Sequence, residues 1–171
     1  VRSLRTDHHA LETVYLSMIA FAGKAKTLTP LIEVASFYPP RLPVGSGTAL
    51  GVALEHLMVE IDKNVIKTTP DRKGDWKPVV YLMTDGKPTD NIANALRRWQ
   101  KYYKNQVSLI AIGVGQYAAL DTLRQLTDQV LHLDAQTEED YGKFIDWVSK
   151  TVVAQSRSVS ASSNEGVKLV I

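Results

Sequence analysis

No cysteine occurs among the 171 residues. That excludes disulfides, thiolate metal sites and a cysteine nucleophile, and it is compatible with a reducing compartment. Charge of one sign is also scarce, since 20 Lys and Arg stand against 18 Asp and Glu for a formal net charge of +2. So small a surplus does not suit a dedicated phosphate-backbone binder, and no nucleic-acid partner is expected. No apolar run reaches the roughly 18 residues of a spanning helix, so no membrane partner is expected either. Hydrophobic residues at 44% and charged residues at 22% are ordinary for a soluble globular domain. The length suits a single one. The cytoplasm is the default location, although the chain opens at Val1 rather than Met, which leaves room for a removed leader.

What is present alternates short β-rich runs with longer helical ones. This rhythm predicts a Rossmann-like α/β fold: a mainly parallel central sheet with one antiparallel edge strand and helices on both faces. Val14–Phe21 (VYLSMIAF) and Ala25–Leu31 read as a hairpin around Ala22-Gly23-Lys24. From Glu33 to Gly47 the prolines Pro39, Pro40 and Pro43 with Gly45 and Gly47 predict a long loop. Leu50, Leu54, Leu57, Met58, Ile61 and Val65 then fall on one face of a helix from Ala49 to about Lys67, with Thr48 in the N-cap position.

Val79–Met83 (VVYLM) is a continuous apolar run, as in a strand covered on both faces, and should be central. It feeds Thr84–Asp90 (TDGKPTD) and a helix from about Asn91 to Tyr103 with Ile92, Leu96 and Trp99 inward. Val107–Val114 (VSLIAIGV) predicts a second buried strand, Leu120, Leu123 and Leu126 a short helix, and Gln129–Leu133 a short strand. Tyr141, Phe144, Ile145, Val148 and Val152 mark a last amphipathic helix, with Trp147 near its apolar face. Residues 1–154 therefore read as one domain and 155–171 as a Ser-rich tail in which Val167–Ile171 (VKLVI) can form a strand.

Ligands in a parallel α/β sheet gather at the carboxyl ends of strands, where loops and helix N-termini converge. Two loops stand out there. Gly45-Ser46-Gly47-Thr48-Ala49-Leu50-Gly51 places a hydroxyl at a helix start, but it lacks a P-loop lysine and the G-x-G-x-x-G spacing, so a nucleotide-phosphate reading is weak. Asp85 directly follows an apolar strand, with Gly86 to relax the turn. Taken singly these are a helix cap and a turn signal. Together they offer a hydroxyl and a carboxylate, part of the oxygen shell a hard divalent cation seeks.

The order VYLSMIAF, GSGTALG, VVYLMTDG, LIAIGVG resembles the von Willebrand A family over about Val1 to Ala154. The segments ALETVYLSMIAF and LTDGKPTD are similar to its bacterial tellurium-resistance, TerY-like branch. The family's metal-ion-dependent adhesion site joins a D-x-S-x-S loop, a second-loop Thr and a third-loop Asp. By resemblance Thr48 and Asp85 are the second- and third-loop ligands, with Ser46, Gly47, Gly86 and Lys87 as the residues a partner meets beside them. The implied cofactor is Mg²⁺, or Mn²⁺ or Ca²⁺. The implied role is a non-enzymatic interaction module that binds an acidic partner residue through the metal. The branch further implies a bacterial, cytoplasmic stress-response system with kinase or phosphatase proteins as partners.

D-x-S-x-S occurs nowhere in the chain, and nothing before Leu11 reads as a strand. Val1–Asp7 looks instead like the end of the family's first helix. The metal site is therefore incomplete, and the sheet would carry a central gap with two rows of unpaired backbone groups. A separate segment, another chain, or Val167–Ile171 could fill it; the first is the expectation. Two further functional readings stay open: a metal-dependent hydrolase or phosphotransferase using Asp85, with Asp90 the nearby carboxylate, and a metal-free interaction domain.

Other polar features read blandly. His8 and His9 are adjacent and make a poor metal pair, while His56 and His132 are single. Arg97, Arg98, Lys101 and Lys104 read as a solvated face. Trp76, amid Lys73, Gly74, Asp75 and Lys77, is either a packed loop anchor or an exposed contact.

Overall fold

A computed structural model describes residues 2–134, 137–160 and 167–170. Val1, Ile171 and the 161–166 part of the Ser-rich tail lie outside these residues. In chain order the elements are α1 (Arg2–Arg5), α2 (His8–Thr13), β1 (Val14–Phe21), β2 (Ala25–Glu33), α3 (Leu50–Asn64), β3 (Val79–Thr84), α4 (Ala93–Arg98), β4 (Ser108–Val114), α5 (Leu120–Leu126), β5 (Val130–Leu133), α6 (Glu138–Ser160) and β6 (Val167–Val170). The sheet runs β2-β1-β6-β3-β4-β5, with β2 antiparallel at one edge and every other pairing parallel. This is the expected α/β fold class.

The period-two alternation of strand side chains divides the core into two layers. Val79 and Tyr81 of β3, with Ile110, Ile112 and Val114 of β4, face a cluster completed by Leu4, Ala10, Phe144, Val148 and Val152 from α1, α2 and α6. Val80, Leu109 and Ala111 point to the opposite face, against Leu50, Leu54, Leu57, Met58 and Ile61 of α3, Trp99 and Tyr103, and Leu123 and Leu126. Strands buried on both faces carry apolar residues at every position, which is why VVYLM and LIAIGV read as continuous runs.

Several boundaries differ from expectation for identifiable reasons. α3 stops at Asn64 rather than Lys67: Val65 N makes the last helical bond, to Ile61 O at 2.9 Å, and Ile66 N turns away to donate to the Asp75 carboxylate at 2.6 Å. The predicted helix from Asn91 begins at Ala93, whose N–H is capped by Asn91 Oδ1 at 3.0 Å, and its last turn, Trp99–Tyr103, widens to π geometry with Lys104 N donating to Trp99 O. Trp147 is not a core residue. It is 44% exposed and lies against Phe144, with ring centroids 5.9 Å apart, because α6 turns that flank outward, leaving Tyr141 and Ile145 exposed too. Trp99 does serve the core, and its ring N–H donates to Leu126 O at 2.9 Å. His8 and His9 open α2 behind an Asp7 cap.

The central gap is the largest departure. β6 takes the position between β1 and β3, so the tail supplies there what a separate segment was expected to supply. A six-stranded sheet results, with β6 pairing residues Val14–Ser17 of β1 and Val79–Val80 of β3.

Candidate metal site

Thr48 and Asp85 arrive at the same sheet edge from different directions. β3 delivers Asp85 just past its last, buried residue Thr84. Thr48 stands two residues before α3, in a loop whose shape depends on glycine: Gly47 has φ +88°, the left-handed region that L side chains disfavour. A Cβ on Gly45 would meet Ala22 Cβ at 2.6 Å, so the loop lies close against the β1–β2 turn. Ala49 N donates to Ala22 O at 2.6 Å and fixes that approach.

A second set of bonds ties this loop to the one after β3. Thr48 N donates to Thr89 Oγ1 at 3.0 Å, and Thr89 N donates back to Thr48 O at 2.9 Å. Asp90 Oδ1 and Oδ2 accept from Gly51 N at 3.2 Å and Val52 N at 2.9 Å, so a carboxylate from the neighbouring loop caps α3. Thr48 is therefore not the N-cap. Ala49 occupies that position and makes no side-chain cap bond. Gly51 makes the arrangement sterically possible, as a Cβ there would stand 2.9 Å from Asp90 Oδ2.

Thr89 was not among the expected site residues, and Asp90 was weighed only as the carboxylate near Asp85 in the hydrolase reading, not as the cap of α3. No local signal points to them, because the cap acts across a separation of 38 and 39 residues. Gly86 was read as a turn residue, but its φ is not positive and its contribution is space: a Cβ there would come within 2.8 Å of Thr48 Oγ1. The Thr48 hydroxyl thus lies against Gly86, next to Asp85 in sequence. Ser46 and Gly47 are exposed beside it. Lys87 is exposed as well, but with Pro88 it lines a separate depression of about 510 Å³ against the start of α5.

The remaining polar candidates have structural employment. Thr27 Oγ1 and His56 Nε2 are 2.8 Å apart, and His132 Nε2 is 3.0 Å from Gly115 O. Arg98 pairs with Glu55, Lys104 Nζ lies 3.5 Å from Asp128, and Lys101 lies 4.9 Å over the Tyr102 ring. Trp76 is a half-buried loop anchor under Lys73, at 5.4 Å.

Can these residues hold a cation? Among the described residues no group of three or more His, Asp or Glu is placed to do so. The Thr48 hydroxyl and the Asp85 carboxylate are hard oxygen donors suited to Mg²⁺ or Ca²⁺, and they form a partial fit. Mg²⁺ commonly binds through one or two carboxylates and keeps several waters, whereas Ca²⁺ takes six to eight oxygens, so the donor set suits Mg²⁺ better.

The sequence model of the von Willebrand factor type A domain matches residues 11–145. No curated protein matches the chain. Among solved structures it is similar to proximal thread matrix protein 1 from the mussel byssus. One structure of that protein has TM-score 0.50 and 26% identity, covering 70% of this chain and 32% of that one. A second crystal form has TM-score 0.55 and 23% identity, covering 78% and 36%. A third, described with a zinc-occupied MIDAS motif, has TM-score 0.46 and 25% identity over 68% and 31%, an overlap too slight to add weight. The chain spans about one third of the length of the structures it matches. With a family match over residues 11–145 and a mainly parallel sheet edged by one antiparallel strand, this chain belongs to the von Willebrand factor type A domain family.

Proposed function

We propose that the chain is a protein-interaction module that engages an acidic side chain of its partner through a divalent cation held by Thr48 and Asp85. One observation carries the reading. Among the described residues neither the Thr48 hydroxyl nor the Asp85 carboxylate has an intramolecular hydrogen bond or ion pair, whereas Thr89 and Asp90 beside them are engaged in holding the two loops together. Two oxygen ligands are thereby held at one edge and left available. A cation bound there keeps open positions, and a carboxylate is the ligand it would attract. Domains of this family are in general interaction modules, which agrees with this role.

Mg²⁺ is the proposed ion, with Mn²⁺ and Ca²⁺ as alternatives. The TDGKPTD segment and the β1 sequence support placement in the bacterial tellurium-resistance branch, hence a cytoplasmic stress-response system with kinase or phosphatase proteins as partners. No described helix is long and apolar enough to cross a membrane. The hydrolase or phosphotransferase reading loses support, because Asp90, the carboxylate nearest Asp85 in the loop, is committed to the α3 N-terminus.

Calorimetric titration with MgCl₂ and MnCl₂ tests the proposal, alone and with a Glu-containing peptide. Binding that weakens at least tenfold in both Thr48→Ala and Asp85→Ala, with unchanged circular dichroism, is expected. Absence of any cation heat in the parent chain would overturn the cation half and leave a metal-free interaction domain.

A further inference from the structure

β5 ends the sheet on the side away from β2. It pairs with β4 alone, and among the described residues its other edge has no neighbour. Ala111 N donates to Gln129 O and Gly115 N to Leu133 O, both at 2.9 Å, so the backbone groups of Gln129, Leu131 and Leu133 are the ones directed at β4. By alternation the N–H and C=O of Val130 and His132 point outward. Leu131 shares a face of the strand with Leu133. Leu133 packs against the cluster that contains Phe144, whereas Leu131 is 40% exposed.

Negative charge gathers around this edge. In a chain of net charge +2, residues 120–146 carry seven of the 18 Asp and Glu but only two of the 20 Lys and Arg. Asp128 and Asp134 bracket β5, and both are exposed. The Asp128 side chain is 90% exposed, with Lys104 Nζ 3.5 Å away. An exposed pair of this kind is screened by water and leaves the carboxylate open to a second cation.

We propose that the outer edge of β5 is a docking site for an extended, basic segment of another protein, which adds to the sheet as a further strand. The chemistry of the edge selects that occupant. A row of outward backbone donors and acceptors is met by a backbone in extended form, as in β-augmentation. A helix keeps its backbone bonds to itself and cannot supply them. Carboxylates at both ends of β5 call for Lys or Arg at both ends of the segment, and an apolar side chain opposite Leu131 covers its exposed surface. The same charges disfavour a second copy of this chain. Antiparallel self-pairing centred on Leu131, the register that uses the whole strand, sets Asp128 of each copy opposite Asp134 of the other, and like charges directly opposite destabilise a strand pair. Short edges flanked by charge guard against self-association. Here the guard has one sign, so it repels copies and admits a basic strand. Neither Thr48 nor Asp85 lies on β5, so failure of this proposal leaves the cation reading in place, and the reverse also holds.

The test uses the intact chain and a fluorescein-labelled peptide, Lys-Val-Thr-Val-Thr-Val-Lys, which matches Asp128–Asp134 in length and reads the same in both directions. Fluorescence anisotropy should show saturable binding, at least tenfold weaker when both lysines are replaced by glutamate. N-methylation of one alternate set of residues should weaken binding at least tenfold and N-methylation of the other set should leave it unchanged, because only every second N–H faces β5. A chain carrying both Asp128→Lys and Asp134→Lys, with unchanged circular dichroism, should prefer the glutamate peptide. No saturable binding overturns the proposal. Equal effects of the two N-methylated sets reduce the contact to charge attraction and overturn it too. A reversed chain that still prefers the lysine peptide moves the binding away from β5, with the same consequence. Dimers of the parent chain in sedimentation, abolished by Leu131→Lys, would give the edge to a second copy and overturn the proposed occupant.

Discussion

Asp90→Ala should destabilise the fold more than any change at Thr48, although sequence spacing alone points to Thr48 as the α3 cap. The Asp90 carboxylate accepts from Gly51 N at 3.2 Å and Val52 N at 2.9 Å, two of the N–H groups that an α-helix leaves without internal partners. Losing an N-cap side chain to alanine costs about 0.5–2 kcal/mol, and losing a carboxylate beside the positive end of the helix dipole costs about 0.3–1 kcal/mol. Asp90 is half-buried, which places the expected total near 1.5–2 kcal/mol. For a chain of this size that lowers Tm by roughly 3–8 °C. Asp90→Asn keeps an acceptor oxygen and should cost about half as much. Thr48→Ala removes a hydroxyl without an intramolecular bond and should stay within about 0.5 kcal/mol. Urea denaturation followed by circular dichroism gives the three values from the shift in midpoint at constant m. The reasoning is refuted if Asp90→Ala lies within about 0.3 kcal/mol of the parent chain, or if Thr48→Ala is the more damaging of the two.

Three other outcomes follow from the geometry. Gly86→Ala would bring a Cβ within 2.8 Å of Thr48 Oγ1, so Mg²⁺ titration should show at least tenfold weaker binding while the urea midpoint moves little. Tyr103 Oη donates to Asp62 Oδ2 at 2.5 Å; burial first, and then this bond, push the Tyr103 hydroxyl up to about 12 from 10.0. Its folded value lies above its unfolded one, so its contribution to stability is complete below pH 10 and declines as pH rises through 12, a slope that Tyr103→Phe should abolish in alkaline urea titrations. The same bond holds the Asp62 carboxyl below its usual 3.8, so that share is complete above about pH 4 and is lost as pH falls, which acid denaturation of the Tyr103→Phe variant should show as a flatter slope.

Those elements whose burial follows a short period along the chain were legible in the sequence. β3 and β4 announce themselves as continuous apolar runs, because a parallel strand covered by helices on both faces has no solvent-facing side. The buried face of α3 is legible from its i, i+3, i+4 spacing, since Leu50, Leu54, Leu57, Met58 and Ile61 are all buried. Thr48 and Asp85 were legible as residues that belong at the strand ends, one by its place before a helix and the other by its place after an apolar run. α6 shows where this reasoning stops. Its apolar stripe predicted the buried Phe144, Val148 and Val152 but also Trp147, which the packing of α1, α2 and the sheet leaves uncovered.

What the sequence by itself determined is the alphabet of elements and the sheet edge to which the loops carrying Thr48 and Asp85 belong, because both follow from residue type and local period. Only the tertiary structure decided who caps α3, what Gly86 is for, and which segment lies between β1 and β3. Each of these is a contact between residues far apart in the chain, where hydrogen-bond donors left over by one element are satisfied by another. No local pattern records such a pairing, since Asp90 on Gly51 and Val167 beside Val14 come together only once the sheet is assembled.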